Sequence, residues 1–303
     1  MRYTYNEDVK LCEVPNMNWN KYTQKEILQY AVGALLYMPA TNVRIADKII
    51  NKQYSALKSL VLCLEDSIGD SMVEEAEKLV IELKDYVGYF KVGLQLVSAT
   101  GFRAIEMIKS HGCKVFMDTK PIDIPNTVAK TCVNFMKHGA DFFDIHLIGG
   151  SKMVSTTMKL ITETAKKMEI PRPSVVGVTL LSSFGQKTLT EELCVNVNLI
   201  DYVTQLTKLA LDCGLDGVLA SAAEAKVIRQ KYGKDFIIIC QAVRPTWSVV
   251  NDQIRVVTPT DAILSGVDYM IVGRPITGAS DPKAAAEVIV HEIEEALLQV
   301  EEG

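Results

Sequence analysis

The sequence predicts a (β/α)8 barrel, in which eight parallel strands close into a cylinder covered by helices. Two observations predict it: short apolar runs recur eight times from about residue 58 onward, and a stretch with helical spacing follows nearly every run. Eight strand–helix units in about 240 residues have the usual size of such a barrel. Residues 58–303 are therefore expected to form a single barrel domain.

The apolar runs are the expected strands. In chain order they are LVLCLE (60–65), YFKVGL (89–94), KVFMDTK (114–120), FFDIHL (142–147), SVVGVTLL (174–181), GVLAS (217–221), FIIIC (236–240) and YMIVG (269–273). Most are apolar throughout rather than alternating, which is typical of strands buried on both faces of a parallel sheet. A doubly wound open sheet is the alternative, but it favours a GxGxxG turn after the first strand, and this chain has none.

The expected helices lie between and after these runs. They are MVEEAEKLVIELKDY, GFRAIEMIKSH, VAKTCVNFMKHG, MVSTTMKLITETAKKM, DYVTQLTKLALDCG, AAEAKVIRQKYG, PTDAILSG and DPKAAAEVIVHEIEEALLQV. Residues 1–57 do not fit the repeat, although they hold two helical patterns and an additional apolar run, ALLYMPA. Their density of Tyr, Leu and Ile is too high for a disordered tail, so they predict a structured N-terminal extension.

Composition excludes several classes of function. The 303 residues carry a net charge of −5 and no block of Lys or Arg, so nothing indicates binding to nucleic acid or to an anionic membrane. The seven cysteines are scattered, without metal-ligand spacing, which is typical of reduced thiols in a cytoplasmic protein. No apolar run approaches the roughly 20 residues that a membrane span needs. We therefore expect a soluble, cytoplasmic protein.

The third run ends in a concentrated group of charges, KVFMDTKPIDIPNTV. If the strand continues to Lys120, its period of two places Asp118 and Lys120 on one face, which opens at the barrel mouth where active sites lie. Asp123 follows in the loop over the same mouth. Lys91, inside the preceding run, is expected to flank Asp118. Because buried charges are costly even when paired, this cluster indicates an active site rather than a structural salt-bridge network.

Several segments together carry a family resemblance: KVGLQL, DTKPIDIPNTV, VTLLSS, RPTWSVVNDQIRVVTP and GVDYMIVGRPITGASDP. In order and spacing they resemble the orotidine 5′-monophosphate decarboxylases. Hexulose-phosphate synthases and ketogulonate-phosphate decarboxylases share DxKxxD, but they typically carry Glu where this chain has Lys91, and they use magnesium. Lys91 and the DIPNT continuation favour the orotidylate branch.

The resemblance implies a catalytic tetrad of Lys91, Asp118, Lys120 and Asp123, without metal or organic cofactor. Lys120 would stabilise the carbanion at C6 of the pyrimidine and supply the proton that replaces CO2. Asp118 would lie against the departing carboxylate. In the family Asp123 and Thr127 reach into the partner subunit's site, so the resemblance also implies a homodimer.

Substrate-binding residues follow from the same resemblance. Arg244 and Arg274 come after the seventh and eighth runs, whose loops form the usual phosphate site of barrels, and Arg matches phosphate geometry. Gln253 and Arg274 would contact phosphate, with Arg244 close by, and Gly273 would let backbone N–H groups approach it. Ser182 would bind the pyrimidine.

Three stretches depart from the family pattern. The first strand normally ends in ALD, whose Asp binds ribose; here it reads CLEDS, so Glu65 or Asp66 takes that place. The turn after the seventh strand reads CQAVRP instead of the usual PG(I)RP. Residues from about 30 to 85 resemble the start of citrate lyase β-subunit-like aldolases, which indicates a fusion at the N-terminus.

The leading hypothesis is therefore cofactor-free decarboxylation of orotidine 5′-monophosphate to UMP. One alternative keeps the fold and the phosphate site but acts on another phosphorylated sugar or nucleotide, because the first strand differs. A second alternative is a non-catalytic nucleotide-binding protein that uses the N-terminal extension as an interface.

Overall fold

Eight parallel strands close into a barrel in a computed structural model that describes residues 59–64, 72–248 and 257–302. The strands are Ser59–Cys63 (β1), Tyr89–Gly93 (β2), Lys114–Asp118 (β3), Phe142–His146 (β4), Ser174–Val178 (β5), Gly217–Ala220 (β6), Ile237–Cys240 (β7) and Tyr269–Val272 (β8). Each strand pairs with the next, and β8 pairs with β1 through the register Val61 with Ile271. The predicted barrel is thus confirmed. The predicted extension, residues 1–57, lies outside the described residues.

The helices surround the barrel. They are Met72–Leu83 (α1), Leu94–Thr100 (α2), Arg103–Ser110 (α3), Pro125–Lys137 (α4), Gly150–Met168 (α5), Leu199–Asp212 (α6), Ala222–Tyr232 (α7), Pro259–Leu264 (α8), Arg274–Thr277 (α9) and Pro282–Glu302 (α10). A 3-10 turn at Leu147–Gly149 and a π turn at Thr188–Glu192 complete the regular structure of the described residues. α4 begins at Pro125, whose fixed φ suits the first helical turn.

The strands are shorter than the apolar runs at their carboxyl ends. The run 114–120 leaves the sheet at Asp118, and the run 174–181 leaves it at Val178. Leu180 is nevertheless buried, because loop residues at the barrel mouth still pack against the interior. Apolar character therefore marks burial rather than strand pairing, and sequence alone overestimates strand length here.

The interior of the barrel is closed near its amino-terminal end by aromatic rings. Tyr89, Phe142 and Tyr269 contact one another edge to face, with ring centroids 5.7–5.9 Å apart. Phe116 packs on Phe142 at 5.2 Å. Such contacts add to the hydrophobic effect of burying large side chains. This end of the barrel is thus a packed core, and only the opposite end can open to a substrate.

A repeated ion pair joins neighbouring strands at the amino-terminal end of the barrel, its base. Immediately before β4, β6 and β8, an Asp side chain accepts a backbone N–H from the preceding strand and also contacts a cation. These base ion pairs are Asp141 with Val115 and Lys109, Asp216 with Val175 and Arg172, and Asp268 with Ile238 and Arg229. Before β2 the equivalent residue is Gly88, which has only its backbone N–H bond to Leu60 (2.9 Å).

None of the helices within 72–248 and 257–302 combines the length and the apolar character that crossing a membrane requires. Cys113, Cys132, Cys194 and Cys213 are free thiols.

Helix α5 ends in a conformation that disfavours its residue. Glu169 follows the helix at φ 54° and ψ 37°, in the left-handed region, and is exposed. A non-glycine residue costs roughly 1–2 kcal/mol there, whereas glycine is the preferred residue after a helix end.

We expect Glu169→Gly to increase the free energy of unfolding by about 1 kcal/mol, because the left-handed penalty disappears. Urea denaturation measures it. The matched control is Glu163→Gly, inside the same helix, which should instead lose about 1 kcal/mol. Equal destabilisation by both variants would contradict this reading of the helix end.

Candidate active site

Three charged side chains meet at the mouth of the barrel. Lys91 on β2 and Asp118 at the end of β3 both point inward, and Nζ of Lys91 lies 2.8 Å from Oδ2 of Asp118. Nζ of Lys120 contacts the other oxygen, Oδ1. Lys91 and Asp118 are buried, with 5% and 4% of their surface exposed. The structure thus brings together three of the four residues expected to form the tetrad.

Lys120 reaches this cluster by a route that the sequence did not predict. The expectation was a strand continuing to Lys120, with its side chain placed by the period of two. The strand ends at Asp118 instead, and Lys120 has a φ of 48°, in the left-handed region. A turn, not strand alternation, directs its ammonium group onto Asp118.

The cluster fixes its own protonation states. Burial by itself would raise the pKa of Asp118, but the ammonium groups of Lys91 and Lys120 outweigh it and hold that pKa far below its usual range. Burial likewise would lower the pKa of Lys120, but Asp118 and Asp144 outweigh it and raise it. At neutral pH the site therefore contains an ionised carboxylate beside a protonated lysine.

Asp144 is part of this site, and the sequence analysis missed it. It lies on β4, is fully buried, and its Oδ1 accepts the backbone N–H groups of Thr119 (3.1 Å) and Lys120 (2.8 Å). Burial and the charge of Asp118 raise its pKa well above the usual range. The signal was present: Asp144 is an acidic residue inside an apolar run, as Lys91 is a basic one.

His146 occupies the next inward position on β4. Burial and the charge of Lys120 lower its pKa to about 4, so the ring is neutral at physiological pH. Its Nδ1 accepts the backbone N–H of Ile148 at 3.5 Å, which leaves Nε2 as the protonated nitrogen.

The two halves of the barrel interior differ in polarity. The charged residues come from β2, β3 and β4, whereas inward positions of β5 to β8 carry apolar side chains such as Val178, Leu219, Ile239 and Ile271. A substrate at the mouth would face fixed charges on one side and an apolar wall on the other.

Asp123 and Thr127 do not join the cluster. Both are exposed, and Oδ1 of Asp123 accepts the N–H of its neighbour Ile124 at 2.6 Å. They lie on the loop and first turn that lead into α4, beside Ile122 and Ile124, of which 48% and 68% are exposed.

The predicted phosphate residues lie at the carboxyl ends of adjacent strands. Arg244 follows β7 and is buried, with its guanidinium donating to the carbonyl of Val243 (3.0 Å). Arg274 follows β8 directly after Gly273, where an added Cβ would lie 3.2 Å from that of Cys63. Ser182 is half-buried in the loop after β5.

The altered turn after β7 keeps Arg244 in the barrel. Ala242 adopts a φ of 61°, and the N–H of Arg244 donates to the carbonyl of Val257 at 2.8 Å. The usual glycine of this turn is thus replaced by an alanine that adopts the glycine-like conformation. The remaining predicted contacts, Glu65, Asp66 and Gln253, lie outside the described residues.

No group of three or more His, Cys, Asp or Glu side chains within the described ranges is arranged to hold a metal ion. The chemistry available in these ranges comes from an ammonium donor, an ionised carboxylate and cationic residues at the mouth. Such a set can bind an anion and protonate a developing carbanion.

Comparison with known proteins identifies relatives with the same elements. The family model described as orotidine 5′-phosphate decarboxylase / HUMPS family matches residues 62–289. A second model, described as a C–C bond lyase of the TIM-barrel fold, matches residues 26–89, which is consistent with the aldolase-like start.

Individual relatives of this chain carry the same family description. Orotidine 5′-phosphate decarboxylase of Syntrophotalea carbinolica is 41% identical over 248 residues, covering 82% of this chain and 98% of that protein. The enzyme of Moorella thermoacetica is 41% identical over 218 residues, covering 72% and 86%. The crystal structure of the Lactobacillus acidophilus enzyme has a TM-score of 0.65 and 31% identity, covering 77% of this chain and 98% of that one.

His146 generates a prediction about acid stability. Its pKa is about 4 in the folded protein and about 6.5 in an unfolded chain, so between these values only the unfolded state binds the proton. Stability therefore falls as pH drops through this window.

We expect His146→Gln to remove about 3 kcal/mol of that loss, measured as the difference in unfolding free energy between pH 7 and pH 4. His291→Gln, on the exposed face of α10, is the control for replacing a histidine outside the barrel interior. Identical pH profiles for wild type and His146→Gln would contradict the burial of a neutral ring.

Proposed function

The chain belongs to the orotidine 5′-phosphate decarboxylase / HUMPS family, and on that premise we infer that it is a carboxy-lyase converting orotidine 5′-monophosphate to UMP in pyrimidine biosynthesis. One observation carries the assignment to this reaction: an ionised Asp118 held between Lys91 and Lys120 at the mouth of the barrel. The reaction needs a group that stabilises a carbanion and then protonates it, and the ammonium group of Lys120 in this cluster can do both.

Lys120 is the proposed proton donor. The bond between C6 of the pyrimidine and its carboxylate breaks, CO2 leaves, and the electron pair stays on C6. Nζ of Lys120 then transfers a proton to C6, and the resulting neutral amine regains a proton from solvent. Because Asp118 and Asp144 raise the pKa of Lys120, its positive charge is present beside C6 while negative charge develops there.

Asp118 is the proposed source of differential stabilisation. Its pKa lies far below the usual range, so it remains ionised next to the substrate carboxylate. The repulsion between the two carboxylates disappears as CO2 leaves, whereas the attraction of Lys120 to the carbanion grows. Interactions that improve between ground state and transition state are the ones that accelerate a step.

The phosphate would bind at the ends of β7 and β8. Arg274 and Gln253 are the proposed phosphate contacts, with Arg244 close by and Gly273 allowing the backbone to approach. The proximity of Gly273 to Cys63 supports a glycine there, since any side chain would crowd β1. Ser182 is the proposed contact to the pyrimidine.

The ribose contacts are proposed at the end of β1. Glu65 or Asp66 would accept hydrogen bonds from the ribose hydroxyls, since they follow the strand whose carboxyl end opens at the mouth. Residues 1–57 are proposed to be a separate extension ahead of the barrel at 58–303. The free thiols within the described residues support a reducing, cytoplasmic location.

A homodimer with shared sites is also proposed. Asp123 and Thr127 are exposed, and the one side-chain bond described for Asp123 is to its neighbour Ile124 rather than to the cluster, although the loop that carries them is apolar. Ile122 and Ile124 present large exposed side chains on both sides of Asp123, which is typical of a protein interface. Burying this loop against a second copy would place Asp123 at that copy's mouth.

A magnesium-dependent reaction on another sugar phosphate is the alternative within the family. Lys91 argues against it, because its ammonium group lies 2.8 Å from Asp118, where it would repel a divalent cation held by that carboxylate. A non-catalytic nucleotide-binding role is the other alternative, and turnover tests both.

We expect loss of orotidine 5′-monophosphate absorbance that persists in excess EDTA, and a fall of about 10⁴-fold in kcat for Lys120→Ala, because general acid catalysis is removed. Lys114→Ala is a matched control at the opposite end of the same strand, where Lys114 lies over Tyr89, and it should keep wild-type kcat. No turnover by folded protein, or turnover abolished by EDTA, would refute the proposal.

The shared site predicts complementation between inactive variants. Asp123→Ala and Lys120→Ala should each be inactive alone, but equal amounts unfolded and refolded together should regain about a quarter of wild-type activity. That value follows because half the dimers are mixed and each mixed dimer has one intact site. Absence of recovery in mixed dimers isolated through two different affinity tags would place Asp123 in its own subunit's site.

A further inference from the structure

In the mechanism described so far Asp144 acts only through its effect on the pKa of Lys120, yet it is the most completely buried carboxyl of the cluster, with 0% of its surface exposed. It is an acidic side chain at an inward position of β4, between Phe142 and His146 on the same face. A buried carboxyl without a compensating role is costly, so its contacts need a reason.

Those contacts all concern one short segment. Oδ1 of Asp144 accepts two backbone N–H groups, from Thr119 at 3.1 Å and from Lys120 at 2.8 Å. Oδ2 lies 3.9 Å from Nζ of the same lysine. The side chain therefore bridges from β4 to the two residues that follow Asp118 at the end of β3.

The segment that it holds is conformationally unfavourable. Lys120 has a φ of 48°, which lies in the left-handed region that non-glycine residues avoid. A residue keeps this conformation only where surrounding contacts impose it. This conformation sends the Lys120 side chain back to Asp118, to which its ammonium group bonds. Glycine would adopt the turn without strain, but it could not provide the ammonium group.

We propose that Asp144 is a positioning residue, whose buried carboxyl holds the Thr119–Lys120 backbone in the left-handed turn that brings the Lys120 ammonium onto Asp118. The inference rests on the proposed function, since it assigns Asp144 to the same reaction. Asp144 does not touch the reacting atoms in this account; it acts through Lys120.

The protonation state of Asp144 suggests how to test it. Burial and the negative charge of Asp118 raise its pKa well above the usual range, while Lys120 opposes them. A raised pKa favours the protonated form, and a protonated carboxyl resembles an amide in shape and keeps an acceptor oxygen. Asparagine should therefore preserve both backbone contacts, whereas an aliphatic residue removes them.

The experiment compares Asp144→Asn, Asp144→Val and Asp144→Ala by steady-state kinetics on orotidine 5′-monophosphate. We expect the Asn variant to keep kcat within about fivefold of wild type and the Val and Ala variants to lose about 100-fold, the effect of a small misplacement of a catalytic group. KM should change less than about threefold, because the proposed phosphate contacts lie on other strands. Val nearly conserves volume and suits a strand, so it guards against misfolding of the Ala variant.

Asp216→Ala is the matched control. Asp216 also accepts a strand N–H, that of Val175 at 2.7 Å, but at the base of the barrel. It should lower the melting temperature without changing kcat. If Asp216→Ala reduced kcat as much as Asp144→Val, the effect of Asp144 would be general stability, and the proposal would be overturned.

Two further outcomes decide the matter. Full kcat in Asp144→Val would overturn the proposal. An Asn variant as impaired as the Val variant would also overturn it, because an ionised carboxylate would then be required. Crystal structures of the variants give an activity-independent readout: Lys120 should leave positive φ in Asp144→Val and keep it in Asp144→Asn. If wild type does not turn over the substrate, the proposed function fails while this structural readout still tests Asp144.

Discussion

The buried carboxylate of Asp118 is the constraint on which the site depends. An ionised group with 4% of its surface exposed is tolerated only if opposite charges contact it, and here two ammonium groups do. That requirement determines that Lys91 faces inward on β2 and that the backbone turns at Lys120. The contacts of Lys91 and Lys120 with this one carboxylate place two ammonium groups at the mouth, which suits an anionic substrate.

The sequence predicted the strands well where buried residues also pair in the sheet, and less well where buried residues lie beyond the end of a strand. Eight apolar runs were enough to predict the barrel, because strands covered on both faces leave an uninterrupted apolar signature. The end of β5 was placed too late, since Leu180 in the following loop is apolar and buried. The end of β3 was placed too late because the chain turns after Asp118, where strand alternation had been expected to continue to Lys120. The left-handed Lys120 could not be predicted, because nothing in the local sequence favours that conformation; Asp144 on another strand supports it.

The same comparison explains which site residues were accessible to prediction. Lys91 and Asp118 follow from strand period and adjacency, and both lie where that argument places them. Asp144 obeys the same rule of strand period, but the sequence alone does not show the turn at Thr119 and Lys120 whose N–H groups it accepts. The roles of Asp123 and Thr127 depend on a second subunit, so neither the fold of one chain nor its periodicity can establish them.

The base ion pairs join some neighbouring strands of the barrel and not others, so we expect the strands to assemble in a preferred order. Each joins a strand to the next across a short stretch of chain, with separations of 26, 41 and 30 residues, so each can close locally without waiting for the whole cylinder. Three alternate strand–helix–strand steps, β3 to β4, β5 to β6 and β7 to β8, thereby become locally closed units of the kind that open and close cooperatively. The step from β1 to β2 has Gly88 at the corresponding position, and within the described residues it shows a backbone bond to Leu60 in place of such an ion pair. Of the four steps that lead to an even-numbered strand, the step from β1 to β2 is therefore the one at which we expect the cylinder to open first.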